Sequence, residues 1–271
     1  MASTSAAVVL FSSLCTMVLG ARLGGGLGVE GGRAVSRLYA SLVFPAMVFR
    51  GVSAIQLSEV DTNLLLSLLL SKLLVAGLVL AWAGGEGRGM GEAAAYAMAA
   101  SHSFDVTLGV PLCSTLFPSM VGYIFLNQAA QLALVNPLLL LLMEVGKARQ
   151  RGTSLVSTAA AVAAAVATNP LVLATLGGLA AGRLFPQGLP AVLAALSKQL
   201  ADAGGFLGFV SLGLAMGNLG STSARELSHA AVLCAAKLAL MPFCYSRIGG
   251  ALGAVAPVSY THLTLPTKRI V

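Results

Sequence analysis

Charged residues are scarce in this sequence. Only 9% of its 271 residues are Lys, Arg, Asp or Glu, while 57% are hydrophobic. A soluble domain carries about a quarter charged residues, so the composition excludes an ordinary soluble protein, and the apolar excess excludes a disordered chain. About eight apolar runs fill most of the sequence and leave no room for a separate soluble domain. The chain is therefore predicted to be an all-α polytopic membrane protein.

Residues that carry enzyme chemistry are also few. The four cysteines and three histidines show no metal-ligating or redox spacing. No nucleophile elbow or phosphate-binding loop occurs in the sequence. The cysteines fall within predicted spans and are interpreted as packing residues. We therefore expect no enzyme activity, no metal and no cofactor.

The first apolar run lacks the basic region of a signal peptide, because no Lys or Arg precedes Arg22. It is predicted to be a retained helix. The stretch 158–185 is too long for one upright span, so either it tilts or a short helix precedes Asn169, and Pro170 favours a break. The predicted spans are residues 5–19, 38–55, 64–83, 93–117, 120–143, 165–185, 189–216 and 227–252.

Basic residues are concentrated in alternate loops. When the loops between predicted spans are numbered from the N-terminus, eight basic residues lie in odd-numbered loops and one lies in an even-numbered loop. Lys and Arg are retained on the cytosolic side, so the odd loops are predicted to be cytosolic and the N-terminus extracytosolic or luminal. The positive net charge follows from this topology, and no nucleic-acid partner is expected. The residues counted are Arg22, Arg33, Arg37, Arg88, Lys147, Arg149, Arg151 and Arg225, against Arg183.

The last residues differ from everything before them. Residues 258–267 read VSYTHLTLPT, which resembles a translated adapter used in transposon-based sequencing libraries. Residues 258–271 are therefore interpreted as an artefact outside the fold. On this interpretation we expect the natural chain to continue beyond Pro257.

Several polar residues lie where a membrane helix should be apolar. Ionisable groups in a span are costly and tend to face a cavity or a partner. Lys72 follows Asn63, Ser67 and Ser71 on the third span, and this stripe is predicted to face protein or water. Lys237 lies inside the eighth span. The remaining polar candidates are Asn127 and Gln131 on the fifth span, and the pair Lys198 and Asp202, which could simply neutralise each other.

The densest polar segment is SHSFDVTLGVP, residues 101–111, in the fourth span. Gly109 and Pro111 weaken the helix, and unwound backbone at membrane depth persists where it lines a cavity. Discontinuous transporter helices present such segments to substrate or coupling ion. A proline kink with a locally capped Asp is the alternative. The candidate substrate-binding residues are Ser103, Asp105, Thr107, Gly109, Pro111, Asn127 and Gln131, with Lys72 and Lys237 as charge partners.

The sequence resembles the family of PIN-type auxin efflux carriers and PIN-like proteins. The segments that carry this resemblance are LVFPAMVFRG at 42–51, the broken helix at 105–111, NPLLLLLMEVGK at 136–147, and LADAGGFLGFVSLGLAMG at 200–217. FPAMVFR, LSK, and NP followed by ME are most similar to animal members that sense lysosomal cholesterol. The acidic residue of the plant carriers' third helix is absent.

The resemblance implies ten helices in two inverted five-helix bundles, with helices four and nine crossing and with alternating access. About eight of these helices are expected here. Residues 1–152 would form the first bundle and 153–257 an incomplete second bundle. The similar segments SKLLVAGLVL and AKLALMPFCY, in the third and eighth spans, agree weakly with such a repeat.

Three hypotheses about function stay open. The first is a secondary transporter of small organic anions or amphiphiles, similar to the auxin efflux carriers. The second is a sterol-responsive signalling module of the same fold, and the third is a structural membrane protein with a degenerate site. The expected partners are membrane lipid and a small organic anion or sterol-like ligand, and a homodimer is one open assembly state. The sequence leaves the plasma membrane and the endomembranes (lysosome, vacuole or ER) undecided.

Overall fold

The computed structural model describes residues 2–55, 60–102, 105–151, 154–217 and 223–254. Helices are the only regular secondary structure in these ranges. The α-helices are α1 (Ala2–Leu38), α2 (Phe44–Ser53), α3 (Thr62–Gly85), α4 (Met90–Ser101), α5 (Val110–Leu116), α6 (Val121–Ala130), α7 (Asn136–Arg151), α8 (Leu155–Ala167), α9 (Pro170–Leu184), α10 (Ala191–Asp202), α11 (Gly204–Gly217), α12 (Ala224–Ala235) and α13 (Met241–Ala251). Between them lie π-helical turns at Tyr39–Val43, Asp105–Gly109, Gln131–Val135 and Ala236–Leu240, and a 3₁₀ turn at Pro118–Met120. The proposed adapter residues 258–271 lie outside the described residues.

Five helical stretches in the described part of the chain are long and apolar enough to cross a membrane. The pair α8 and α9 also qualifies if its two helices form one span. This fits the predicted all-helical, multi-pass membrane protein, while eight spans and an inverted repeat stay predictions. The five stretches are Ala6–Ser53, Thr62–Gly85, Pro118–Ala148, Ala191–Gly217 and Ala224–Ala251.

Helix α1 bends sharply at Gly28, whose φ of 64° lies in the left-handed region that glycine tolerates. Gly20 lies directly against the backbone of Val210. Ser36 forms a hydroxyl hydrogen bond of 2.7 Å with Ser211, the next residue of α11. A straight helix would separate Gly20 from Ser36 by about 24 Å at 1.5 Å per residue. The chain therefore turns back at Gly28. The apolar stretch Ala6–Ser53, which includes this bend, overlaps the first two predicted spans.

The chain divides into two compact units, each assembled from separate segments. Unit 1 comprises Met1–Gln56, Phe104–Leu132 and Ala163–Ser228. Unit 2 comprises Leu57–Ser103, Ala133–Val162 and His229–Val271. The predicted five-helix bundles are halves of the sequence, whereas both compact units draw residues from both halves.

Glycines allow the helices of unit 1 to approach closely. A methyl group on Gly178 of α9 would lie 2.8 Å from the carbonyl oxygen of Phe49 in α2. Gly182, one turn later, is equally close to the carbonyl oxygen of Ser53. Small residues at such crossings are typical of membrane helices, where van der Waals packing drives association. The buried hydrophobic side chains beside this contact are Met47, Val48, Val52, Val106 and Phe125.

Unit 2 packs α3, α4, α7 and α13 around one hydrophobic cluster. A methyl group on Gly146 of α7 would meet the backbone nitrogen of Gly91 in α4 at 2.5 Å, so these two helices touch through their backbones. The buried members of the cluster are Val75, Ala76, Val79, Ala97, Ala100, Val135, Leu139, Ala236 and Cys244.

The predicted break before Asn169-Pro170 is confirmed. Helix α8 ends at Ala167, and α9 begins at Pro170. The Asn169 side chain accepts a 2.8 Å hydrogen bond from the backbone nitrogen of Leu171. Asparagine caps the new helix, and proline in its first turn costs no hydrogen bond, so both residues favour a helix start here.

Candidate functional site

The fourth predicted span is broken, as its sequence indicated, but at a different residue. Helix α4 ends at Ser101, and His102 has an extended backbone with φ −84° and ψ 132°. Ser103 lies outside the described residues. Helical backbone resumes with the π turn that begins at Asp105.

The prediction that the chain unwinds at Gly109 and Pro111 is wrong in position. Gly109 has helical backbone angles of −64° and −44°. Pro111 lies in the first turn of α5, where a missing N–H is tolerated. Its carbonyl oxygen accepts hydrogen bonds from the hydroxyls of Ser114 and Thr115 at 2.9 and 3.0 Å. The break therefore precedes the acidic residue.

Asp105 is held by an amide from the next helix. The side-chain nitrogen of Asn127 donates a 2.7 Å hydrogen bond to Oδ2 of Asp105. Asn127, Gln128 and Gln131 are buried on the same stretch of helix. The polar segment of the fourth predicted span and the polar candidates of the fifth thus meet through Asp105 and Asn127.

Thr107 lies two residues further on and is buried. Its hydroxyl is hydrogen-bonded to the phenol of Tyr39. The Tyr39 ring stacks on Phe44, with centroids 5.6 Å apart. Gly208 of α11 leaves room for this contact, because a methyl group there would lie 2.3 Å from the Thr107 methyl. Thr107 is therefore fixed from two sides within unit 1.

The candidate residues are concentrated in π-helical turns. Asp105, Thr107 and Gly109 share one such turn, Gln131 begins another, and Lys237 lies in a third. A π turn inserts an extra residue into a helix and frequently occurs at functional sites. The apolar periodicity of the sequence gave no indication of these turns.

The polar stripe on α3 faces protein, as predicted. Ser67, Ser71 and Lys72 are all buried in unit 2. The Ser71 hydroxyl donates to the carbonyl oxygen of Ser67 at 2.6 Å. The Ser67 hydroxyl donates in the same way to Asn63. The two serines therefore satisfy their hydroxyls on their own helix.

The end of α4 is held by polar groups of unit 2. The Lys237 ammonium donates a 3.2 Å hydrogen bond to the carbonyl oxygen of Ala99, in the last turn of α4. A cation is favourable there because the final carbonyls of a helix lack partners. His102, at the break, is hydrogen-bonded to the side-chain oxygen of Asn136.

The structure brings together some of the predicted site residues. Lys72 and Lys237 belong to unit 2, and their predicted role as charge partners stays a prediction. Lys198 pairs with Asp202 at 2.5 Å on the surface, which matches their predicted mutual neutralisation. Sequence reasoning did not find Tyr39, Gly208 or Asn136. The candidates within unit 1 are Asp105, Thr107, Gly109, Pro111, Asn127 and Gln131.

The fold and the site together define a class of protein. Several apolar helices that could cross a membrane, with an acidic residue beside a broken helix, fit a multi-pass integral membrane protein. No family model matches the chain. The chain is similar to the lysosomal cholesterol signaling protein of Mus musculus, with 26% identity over 222 residues, which cover 78% of the chain. The match spans about a quarter of that relative, 26% of its length.

Proposed function

We propose that this chain is a carrier-like membrane module that binds a small organic anion or amphiphile at the polar cluster of unit 1. The observation that carries the proposal is the hydrogen bond between Asp105 and Asn127 directly after the helix break. An ionisable side chain inside an apolar helix bundle is costly, and residues of this kind commonly mark a functional site in membrane proteins.

The cluster has the features of a prepared site. Asp105 supplies a carboxylate for a coupling cation, while Thr107 supplies a hydroxyl and Gln131 a further amide one turn after Asn127. Asn127 and Tyr39 hold the first two of these groups in place. Groups that are oriented before a ligand arrives reduce the entropy lost on binding.

The resemblance to PIN-type carriers extends the proposal to secondary transport by alternating access in a ten-helix inverted repeat. The broken fourth span supports this extension, because discontinuous helices form the substrate sites of such transporters.

Asp105→Asn tests the carrier proposal in the full-length protein. We expect flux of radiolabelled indole-3-acetate into liposomes to fall at least about tenfold, because a transport site loses its charge and its charge-assisted hydrogen bond. The substitution preserves the shape of the side chain. Thermal unfolding should therefore change little.

Asp202→Asn is the matched control, since it removes the same charge from an exposed residue of unit 1. It should leave the flux unchanged. Unaltered flux in Asp105→Asn, with both variants folded, would remove Asp105 from the site.

A second function is favoured by the comparison with known proteins. The matched relative is named for cholesterol signalling. We propose as the alternative that the chain is a sterol-responsive signalling module of the same fold.

Photoreactive cholesterol distinguishes the two proposals. A signalling module should be labelled saturably, unlabelled cholesterol should compete, and no indole-3-acetate flux should be measured. Flux without competable labelling would reject the sterol proposal and leave the carrier proposal standing.

A further inference from the structure

A groove of about 380 Å³ lies in unit 1 between the part of α1 that follows Gly28 and helix α11, and neither Asp105 nor Asn127 lines it. Its residues on the α1 side recur at three- and four-residue spacing, which places them on one helical face. This side includes Val29, Arg33, Arg37 and Ala40, and α11 contributes Leu214 and Ala215. The groove is thus apolar along its length, and the exposed side chains of Arg33 and Arg37 border one wall.

Arg33 and Arg37 are one helical turn apart, and both are exposed. Neither forms an ion pair with any residue in the described part of the chain. Glu30 lies one turn before Arg33, but no ion pair joins these two side chains in the described part of the chain. Two positive charges therefore remain available beside an apolar surface.

This combination selects one kind of ligand. A guanidinium donates paired hydrogen bonds that match the oxygens of a phosphate group. The apolar wall makes no favourable contact with a free phosphate ion, but an acyl chain can pack against it. The first loop is also predicted to be cytosolic, and the cytosolic leaflet carries the anionic phospholipids.

We propose that the groove binds an anionic phospholipid. Its phosphate contacts Arg33 and Arg37, and one acyl chain lies along the exposed Val29, Ala40 and Ala215. The bound lipid would cover both α1 and α11. This site is separate from the polar cluster around Asp105 and does not depend on the function proposed for that cluster.

Lipid binding to the purified full-length protein tests the proposal. Short-chain fluorescent phosphatidylglycerol should bind saturably, and phosphatidylcholine of the same chain length should bind at least about tenfold more weakly, since it carries no net charge. Inorganic phosphate at millimolar concentration should not displace the lipid. Equal binding of both lipids would overturn the proposal, and full displacement by phosphate would assign the groove to a free anion instead.

Matched variants separate a built site from general charge attraction. Arg33→Gln with Arg37→Gln should weaken phosphatidylglycerol binding about tenfold or more, because two charge-assisted contacts are lost. Arg22→Gln with Arg225→Gln removes the same charge from exposed residues of unit 1 that do not line the groove. This control should bind lipid as the unmodified protein does. An equal loss in both double variants would reduce the effect to non-specific attraction and overturn the proposal.

A third variant keeps the test decisive if the arginine changes impair folding. Ala215→Trp places a bulky ring in the groove without any change of charge. It should abolish phosphatidylglycerol binding while both arginines stay in place. Undiminished binding would show that the lipid does not occupy the groove.

Discussion

At the scale of single residues, the polar cluster of unit 1 depends both on hydrogen bonds to its side chains and on a neighbouring position that has no side chain. Thr107 is buried and bonded to Tyr39, and it fits beneath α11 because position 208 has no side chain. The sequence predicted Asp105, Thr107 and Asn127 as candidates from their polarity. It could not predict Gly208 or Tyr39, because their role comes from contacts between distant segments.

Gly208→Ala should destabilise the protein by about 1–3 kcal/mol, the usual cost of overpacking a filled core. The added methyl group would lie 2.3 Å from a buried threonine that has little freedom to move. Thermal unfolding in detergent measures the effect as a lower Tm.

Gly205→Ala is the control on the same helix. No atom lies within 4 Å of the position of its added methyl group. Its Tm should be unchanged or slightly higher, since alanine favours helix over glycine by up to about 1 kcal/mol. Equal Tm values for the two variants would mean that Gly208 is not the contact described.

At the scale of elements, the predicted fourth span is divided into α4 and a second helical stretch that begins at Asp105. The first piece ends at Ser101, and Lys237 and Asn136 hold the groups near its end. The sequence predicted a break in this span because Gly and Pro are visible in it. It misplaced the break, because proline in a first helical turn is tolerated and the partners of His102 lie on another helix.

Lys237→Met should lower the Tm by an amount that corresponds to about 1 kcal/mol, since it removes a charged donor from the end of α4. Lys237→Gln keeps a donor without the charge and should have a smaller effect. The Tm of both variants is measured against the unmodified protein.

Lys198→Met provides the comparison for this lysine. Lys198 forms an exposed pair with Asp202, and such pairs contribute about 0–1 kcal/mol. If Lys198→Met lowered the Tm as much as Lys237→Met, the hydrogen bond from Lys237 to α4 would contribute no more stability than an exposed ion pair.

At the scale of the whole molecule, the composition of the sequence predicted a multi-pass membrane protein. The distribution of its basic residues predicted on which side of the membrane the N-terminus lies. Membrane-spanning length and apolarity are properties of local sequence, which is why the helical stretches could be found without a structure. The assembly of each compact unit from three separate segments depends on long-range packing, and the sequence gave no sign of it.

The orientation can be measured directly. An epitope tag inserted after Ala2 should react with antibody only from the extracytosolic or luminal side, because eight of nine loop basic residues lie in odd loops. Selective permeabilisation of the plasma membrane distinguishes the two sides. A cytosolic tag would invert the predicted topology and place Arg33 and Arg37 at the other leaflet.

The π turns have a consequence for evolution. Each contains one residue more than an α-helical turn, so it marks a site where a single insertion or deletion can be absorbed. Removing one residue from Gln131–Val135 would restore a regular helix and rotate Asn136 by about 100° relative to Asn127. A descendant that lost this residue would retain an apolar helix but shift the register of every residue after the turn. Alignments with distant relatives should therefore allow one-residue gaps within these turns.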